Sequence, residues 1–248
     1  MIDRAVIIST GDELTTGRVV DTNSAVIADR LSSVGIEVTA VLKVGDDRER
    51  LLWALRQAQD LAEIVIGTGG LGPTADDLTA EVVAQFLGCK LHLNESVIQT
   101  LKQRFAAREL VWTSNNLKQA RFPEGSTIIP NPVGTAPGFR ISTGDNKTLI
   151  WLSGVPAEMT AMLNETVMPW ITEQRADAEQ IFACTFKIHG LTESKLDDIL
   201  KPLELGEPAK LSFRVHYPDL SLRLTVRGRA EREKESFAGS PNSSGFKM

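Results

Sequence analysis

The chain contains 248 residues with a formal net charge of −5 at pH 7, and 42% of the residues are hydrophobic and 24% charged. This composition is typical of globular proteins, and the length suffices for one large or two modest domains. The negative charge disfavours a general nucleic-acid binder, and no run approaches the roughly 20 apolar residues that span a bilayer. Two distant cysteines, Cys89 and Cys184, fit no metal-ligand spacing and indicate a reducing compartment. We therefore expect a cytoplasmic protein with neither a membrane nor a nucleic-acid partner.

Short apolar runs alternate with helical patterns over the first 172 residues. Strands are predicted at 5–8, 36–44, 64–66, 139–142 and 149–152, and helices at 27–34, 51–62, 78–86, 94–105 and from Pro156 onward. This βαβαβα order predicts an α/β fold with a mostly parallel sheet and helices on both faces. Such sheets bind ligands at the carboxyl ends of their strands, so the functional site is expected there.

A second, smaller unit is predicted at 177–230. Its strands are expected at 182–188, 211–217 and 220–226, with a helix at 192–203. Basic and acidic residues are nearly balanced there, and no G-x-x-G loop with basic flanks is present, which disfavours RNA binding. We therefore expect an element for packing, dimerisation or covering the substrate. The polar segment 231–248 is expected to be a disordered tail.

The segment 67–77, with the sequence GTGGLGPTADD, is the strongest functional signal. It lies between a predicted strand and a predicted helix, where glycines let backbone N–H groups approach an anion and the helix dipole adds positive charge. Two adjacent carboxylates would repel a phosphate unless a divalent metal lies between them, so the loop indicates metal-assisted phosphate chemistry. Two other interpretations exist. The glycines match the G-x-G-x-x-G dinucleotide pattern, though in the wrong strand context, and Thr74 with Asp77 matches a helix-capping pattern.

Carboxylates follow three successive strands of the predicted sheet. Asp12 and Glu13 come after the first strand, Asp46 after the second, and Asp76 and Asp77 after the third. The carboxyl ends of parallel strands meet at one edge, and like charges gathered there cost free energy unless a cation neutralises them. The set therefore predicts a divalent-metal site. Two further aspartates of this edge, Asp21 and Asp47, also fit the pattern of helix caps.

Six segments in a fixed order resemble one protein family. They read GDELTTGRVVDTN, VGDD, GTGGLGPTADDLT, SNNLKQA, NPVGTAPGF and SGVPAEM. In this order they are similar to the competence/damage-inducible protein CinA family, from about residue 4 to about residue 230. The resemblance implies that residues 1–172 form a domain similar in fold to the molybdopterin-binding proteins MogA and MoaB. It also implies a small KH-like α+β module at 177–230.

The resemblance implies a function as well. The N-terminal domain of the CinA family is associated with an ADP-ribose pyrophosphatase activity that requires a divalent metal, here Mg²⁺, Mn²⁺ or Co²⁺. By motif, the two functional aspartates of the related enzymes fall on Asp46 and Asp77, which are the candidate catalytic residues. Full-length members add a C-terminal nicotinamide-nucleotide amidohydrolase domain, which we do not expect in the sequence after residue 230. Family members usually carry a proline where this chain has Ser153, so a looser loop is expected there.

Roles for the other candidate residues follow from charge and from the family motifs. Asp12, Glu13 and Asp76 are expected to ligate the metal, and the backbone amides of Gly69, Gly70 and Leu71 to hold a phosphate. Contacts to the sugar or base are expected from polar loop positions, namely Asn23, Asn115, Asn131, Gly134 and Thr135. Asp46 or Asp77, whichever does not bind the metal, is expected to orient or deprotonate the attacking water.

Other functions stay open from the sequence. The first is adenylyl transfer to molybdopterin, with the same fold and the same aspartates. The second is a nucleotide-binding module without turnover. A DNA-uptake or repair role has only the family name in its favour and lacks a basic surface. The expected small-molecule partner is a nucleotide sugar, and the relatives lead us to expect a homo-oligomer, at least a dimer.

Overall fold

The computed structural model describes residues 2–144, 147–175, 180–203, 206, 209–216 and 219–228. The chain divides into two compact units, the first formed by Met1–Ser32 with Ile36–Ala176 and the second by Ser33–Gly35 with Asp177–Met248. The expected tail, 231–248, lies outside the described residues. Over the part of the chain that is described, no helix has the length and apolar character needed to cross a membrane.

The first unit contains eight strands. They are β1 (Arg4–Thr10), β2 (Glu37–Val44), β3 (Ile64–Thr68), β4 (Leu91–Leu93), β5 (Arg121–Pro123), β6 (Thr127–Ile129), β7 (Gly138–Gly144) and β8 (Lys147–Leu152). Six of them form one sheet in the order β2-β1-β3-β8-β7-β6. The first four strands in that order are parallel, whereas β7 runs antiparallel to both β8 and β6. The remaining two, β4 and β5, pair as a separate antiparallel ribbon.

Seven α-helices belong to the same part of the chain. They are α1 (Asp12–Thr15), α2 (Thr22–Ser33), α3 (Arg48–Leu61), α4 (Thr79–Leu87), α5 (Glu95–Ala107), α6 (Pro156–Met162) and α7 (Met168–Gln174). A 3-10 helix covers Ser114–Ala120, and a π-helical turn at Leu163–Val167 joins α6 to α7. The expected cap is present at α3, because Asp47 accepts a hydrogen bond from Arg50 N–H. Asn94 caps α5 in the same way, by accepting from Val97 N–H.

The central strands of the sheet are buried on both faces. Side chains alternate along a strand, so Val6 and Ile8 of β1 share one face, and they belong to the same apolar cluster as Leu55 of α3. Ala5 and Ile7 point to the other face and are also fully buried. Burial on both sides explains why the central strands appear in the sequence as continuous apolar runs. The expected α/β fold with a mostly parallel sheet is confirmed.

The second unit is a small α+β arrangement. Its elements are β9 (Gln180–His189), α8 (Glu193–Leu200), a 3-10 helix (Lys201–Leu203), β10 (Ala209–His216) and β11 (Asp219–Gly228). The three strands form an antiparallel sheet in the order β10-β11-β9. Leu196 of α8 packs with Leu220 and Leu222 of β11 to form a separate small core. The expected strands and helix are present, although the helix tightens into the 3-10 form near Pro202.

Candidate functional site

A cleft of about 570 Å³ lies where β1, β2, β3 and β8 end. Its lining includes most of the residues that the sequence selected, namely Glu13, Asn23, Asp46, Gly69, Gly70, Leu71, Asp76, Asp77 and Thr135. The parallel strands bring these distant segments to one edge because their carboxyl ends point the same way. The prediction that side chains following successive strands meet at the carboxyl edge of the sheet therefore agrees with the structure.

The glycine loop begins with two left-handed residues, Gly69 at φ 104° and Gly70 at φ 64°. The N–H of Gly69 donates to the carbonyl of Leu152 at 3.1 Å, so this amide already has an acceptor within the fold. The carbonyl of Gly69 accepts from Trp151 Nε1 at 2.8 Å and from the Thr79 hydroxyl at 3.0 Å. The expectation that the Gly69 amide holds a phosphate is wrong, because its hydrogen bond fastens the loop to β8.

The next two amides of the loop differ from that of Gly69. Within the described part of the chain, the N–H groups of Gly70 and Leu71 donate to no acceptor, and both residues line the cleft. Amides left without an acceptor at the mouth of a cleft are suited to an anion. The phosphate-binding role therefore stays a prediction for Gly70 and Leu71.

Asp46 is held at the end of β2 by hydrogen bonds from two directions. Its Oδ1 accepts from the Thr10 hydroxyl at 3.1 Å, and its Oδ2 accepts from Asp12 N–H at 3.0 Å. In return, Asp46 N–H donates to Asp12 Oδ1 at 3.1 Å. Burial raises the pKa of the Asp46 carboxyl, and the charges of Asp12 and Glu13 raise it further. The two hydrogen bonds lower this pKa but do not cancel the rise. The carboxylate is therefore fixed in place and electrostatically disfavoured.

Asp77 lies at the other side of the glycine loop. Its Oδ2 accepts from Thr74 N–H at 2.8 Å and from the Thr74 hydroxyl at 2.6 Å. The helix that follows begins only at Thr79, and its capping position, Leu78, provides no side-chain hydrogen bond. The helix-capping interpretation of Thr74 and Asp77 is therefore wrong, since the pair closes a turn inside the loop. One oxygen of Asp77 is engaged in that turn, and Asp77 lines the cleft.

Several carboxylates of the site pack against glycines. A Cβ added at each of these glycines would collide with the carboxylate, and the pairs are Gly11 with Glu13, Gly45 with Asp12, Gly72 with Asp77, and Gly134 with Glu158. The glycines thus leave room for acidic side chains as well as permitting tight turns. Gly11 and Gly72 lie close to their carboxylates in the sequence, whereas Gly45 and Gly134 meet theirs only through the fold.

Asp21 and Asn23 connect α2 to the site. Asp21 Oδ1 accepts from Ser24 N–H at 2.9 Å, as expected of a helix cap. Burial acts to raise the pKa of Asp21, but the hydrogen bond from Ser24 and the charge of Lys43 act against it, and the pKa lies below its usual value. The Asn23 amide donates to the Gly154 carbonyl at 2.8 Å and so joins α2 to the loop after β8.

Glu158 is a cleft residue that the sequence analysis missed. It lies in the first turn of α6, which follows the end of β8. Its Oε2 accepts from Ser153 Oγ at 2.8 Å and from Asn131 Nδ2 at 2.7 Å. Applying the strand-end rule to β8 as well as to the first three strands would have found it. The expectation of a looser loop at Ser153 is not supported, because this buried hydroxyl provides an anchor that a proline lacks.

Other selected residues lie outside the lining of the cleft, namely Asp12, Asn115, Asn131 and Gly134. Asn115 is exposed on the 3-10 helix. Asn131 is buried, and its Oδ1 accepts from Val133 N–H at 3.1 Å and from Gly134 N–H at 2.7 Å. Its amide nitrogen also donates to the Ala136 carbonyl at 2.9 Å. Asn131 therefore shapes the loop and has no free group for a substrate, contrary to the expected contact.

The described residues contain no group of three His, Cys, Asp or Glu side chains placed to hold a metal by themselves. Asp12 in particular has one carboxylate oxygen engaged by Asp46 N–H. Mg²⁺ commonly uses one or two carboxylates, with water and substrate phosphate oxygens completing its octahedron. The chemistry of Glu13, Asp46 and Asp76 fits that shared mode of coordination, and a cage built by the protein alone is not formed.

The chain is similar to proteins of known families. A family model described as a probable molybdopterin binding domain matches residues 6–173. A CinA-like protein of Anaeromyxobacter sp. (strain Fw109-5) is 39% identical over 90% of this chain and 54% of its own length. A putative competence-damage inducible protein of Caldanaerobacter subterraneus subsp. tengcongensis is 40% identical over 94% of this chain and 56% of its own. The chain therefore spans about half the length of the curated relatives it matches.

A solved structure resembles about two thirds of the chain. The crystal structure of the protein CinA from Thermoplasma acidophilum has 38% sequence identity and a TM-score of 0.63. The match covers 68% of this chain and 98% of that one. Sequence and fold thus agree on the same relatives.

Proposed function

The chain belongs to the family of CinA-like, competence-damage inducible proteins, and from that premise we propose that its cleft hydrolyses ADP-ribose to AMP and ribose 5-phosphate. One observation carries the proposal. The cleft combines free loop amides at Gly70 and Leu71 with carboxylates from three strand ends. Amides suit phosphate oxygens, whereas carboxylates beside a phosphate require a cation. A pyrophosphate with a divalent metal satisfies both parts of the cleft.

Metal binding in this proposal depends on few protein ligands. Glu13, Asp46 and Asp76 line the cleft, and one or two of them would hold the ion. Asp12 would fix the position of Asp46 through the hydrogen bonds between the two residues. A bound Mg²⁺, Mn²⁺ or Co²⁺ would supply charge neutralisation at the phosphate oxygens. Each Asp46 oxygen accepts a single hydrogen bond in the fold and so keeps a lone pair for a further partner.

Asp77 is the proposed general base. Thr74 engages only its Oδ2, so Oδ1 can accept the proton of a water molecule in the cleft. In the reaction, the water oxygen attacks one phosphorus, the bridging P–O bond breaks, and the proton passes to Asp77. The amides of Gly70 and Leu71 would stabilise the negative charge on the phosphate during the attack.

A second candidate function is favoured by the matched family model, which is described as a probable molybdopterin binding domain. In that case the same cleft would bind a molybdopterin and transfer an adenylyl group to it. A binding module without turnover is the third possibility. The first two functions predict different products and the third predicts none, so the assay can separate them.

The test incubates the purified chain with ADP-ribose in Mg²⁺, Mn²⁺, Co²⁺ or EDTA and separates the products by chromatography. We expect AMP and ribose 5-phosphate in equal amounts with at least one metal and neither in EDTA. Parallel samples contain ATP and molybdopterin. Consumption of ATP with formation of adenylylated molybdopterin, and no cleavage of ADP-ribose with any metal, would replace the proposed function by the second one.

A further inference from the structure

We propose that Glu158 forms a subsite for the vicinal hydroxyls of a pentose, which fixes the sugar-bearing substrate in the cleft. This inference rests on the proposed function, because it identifies which part of a nucleotide sugar is recognised and by which residue. Glu158 lies in the cleft wall formed by the start of α6, after the end of β8.

The position of Glu158 is fixed by its neighbours. Oε2 accepts hydrogen bonds from Ser153 Oγ at 2.8 Å and from Asn131 Nδ2 at 2.7 Å. Gly134 packs so closely that an added Cβ would collide with the carboxylate. These contacts hold one oxygen and leave Oε1 without a donor from the described residues. A carboxylate that is already held in place loses little conformational entropy when it binds a ligand.

The charge of Glu158 favours ligand groups that donate hydrogen bonds. None of the ion pairs among the described residues includes it, so its charge is not neutralised by a lysine or arginine. An unpaired carboxylate repels phosphate and accepts hydrogen bonds from hydroxyl groups. Carboxylates bind ribose hydroxyls in the same way in dinucleotide sites. Glu158 therefore favours the sugar of the substrate over its pyrophosphate.

A second acceptor in the same cleft supports this assignment, because Gln119 bonds Thr135, the residue after the Gly134 that packs against Glu158. Gln119 is only 6% exposed, lines the cleft, and donates through Nε2 to the Thr135 hydroxyl at 3.3 Å. Its Oε1 is buried and accepts no hydrogen bond within the described part of the chain. Buried acceptors without a donor cost free energy, and a ligand hydroxyl that reaches the wall supplies one. Two acceptors in contact with the same loop match a vicinal diol better than a single hydroxyl.

The test measures binding without turnover. The ligands are α,β-methylene ADP-ribose, whose P–C–P linkage resists hydrolysis, and two counterparts that lack the 2- and 3-hydroxyls of either the terminal or the adenosine pentose. Affinities are measured by calorimetry in Mg²⁺. We expect the wild type to bind one counterpart about 10- to 100-fold more weakly than the parent ligand, and the position of the missing diol identifies the pentose.

Glu158→Gln keeps the shape of the side chain and removes its charge. In this variant we expect the ratio of affinities for the parent ligand and for the counterpart without the diol to fall about tenfold. Glu173→Gln, the same change at an exposed position of α7, should leave that ratio unchanged. Equal wild-type affinity for all three ligands, or an unchanged preference in Glu158→Gln, would overturn the subsite. Cleavage of ADP-ribose without any diol preference contradicts the subsite alone, and diol preference without cleavage contradicts the proposed function alone.

Discussion

The carboxylate of Asp46 combines good hydrogen bonding with an unfavourable charge. Thr10 and Asp12 each donate to one of its oxygens, yet burial and the charges of Asp12 and Glu13 raise its pKa above the ordinary value of 3.8. A group whose pKa is higher in the folded than in the unfolded state holds its proton more tightly when folded. Its contribution to stability is therefore present below pH 3.8 and is lost as the pH rises through the raised pKa.

We predict that Asp46→Asn stabilises the fold at pH 7 while reducing ADP-ribose turnover. The amide can accept from Asp12 N–H and donate to the Thr10 hydroxyl, so both hydrogen-bond positions stay filled. Thermal unfolding of both proteins between pH 4 and pH 8 checks this. The melting temperature of the variant should exceed that of the wild type at pH 7, and the difference should shrink toward pH 4. A lower melting temperature at pH 7 would contradict the electrostatic account.

For single residues, the sequence identifies those whose place follows from the rule that ligands bind at the carboxyl ends of parallel strands. Asp46, Asp77, Gly70 and Leu71 lie in the cleft as expected. Asn131 was selected because it is polar and lies in a loop, but its side chain bonds Gly134 and Ala136 of its own loop and Glu158, which only the fold brings near. The sequence cannot distinguish an amide that shapes a loop from one that binds a ligand, because both require a loop position.

At the scale of elements, the pairing of β3 with β8 sets the position of the glycine-rich loop that follows β3, from Gly69 to Asp77. An added Cβ at Gly67 would collide with the ring of Trp151, which is fully buried and donates from Nε1 to the Gly69 carbonyl. The close approach of strand and indole therefore sets where Gly70 and Leu71 present their amides. Gly67 is needed for close packing, not for phosphate contact.

We predict that Gly67→Ala costs about 1–3 kcal/mol of stability, because overpacking a filled core displaces its neighbours. ADP-ribose turnover should fall as well, since the displaced Trp151 shifts the loop. Urea unfolding and the AMP assay measure the two effects. Gly206→Ala is the matched control, because an added Cβ there meets no atom of the described residues within 4 Å. A Gly67→Ala protein with wild-type stability would contradict this prediction, since it would mean that Trp151 moves aside at no cost in free energy.

The sequence predicts long, regular elements and misses short ones. The central strands and the helices α2 to α5 carry enough apolar residues to show their period. Strands β4 and β5 are each three residues long, and α1 covers only four, so no period is visible. Their positions depend on pairing partners distant in the chain, such as Leu91 with Pro123. Local patterns contain no information on such contacts.

At the scale of the whole molecule, the described residues that line the cleft all lie between Thr10 and Glu158, within the first compact unit. We predict that a fragment comprising residues 1–175 folds and retains most of the ADP-ribose turnover of the full chain. Its circular dichroism and its rate of AMP formation are compared with those of the full chain. A folded fragment without activity would mean that the second unit contributes to the reaction.

Replacement of Asp77 tests the central claim most directly. The rate of AMP release from ADP-ribose is measured in the best metal for the wild type, Asp77→Asn and the control Asp60→Asn, whose aspartate is exposed on α3. The asparagine oxygen still accepts both hydrogen bonds from Thr74, so the loop should keep its shape. We expect Asp77→Asn to lose about 10²–10⁴-fold in rate, the range for a general base, and Asp60→Asn to match the wild type. A wild-type rate in a folded Asp77→Asn protein would contradict the account.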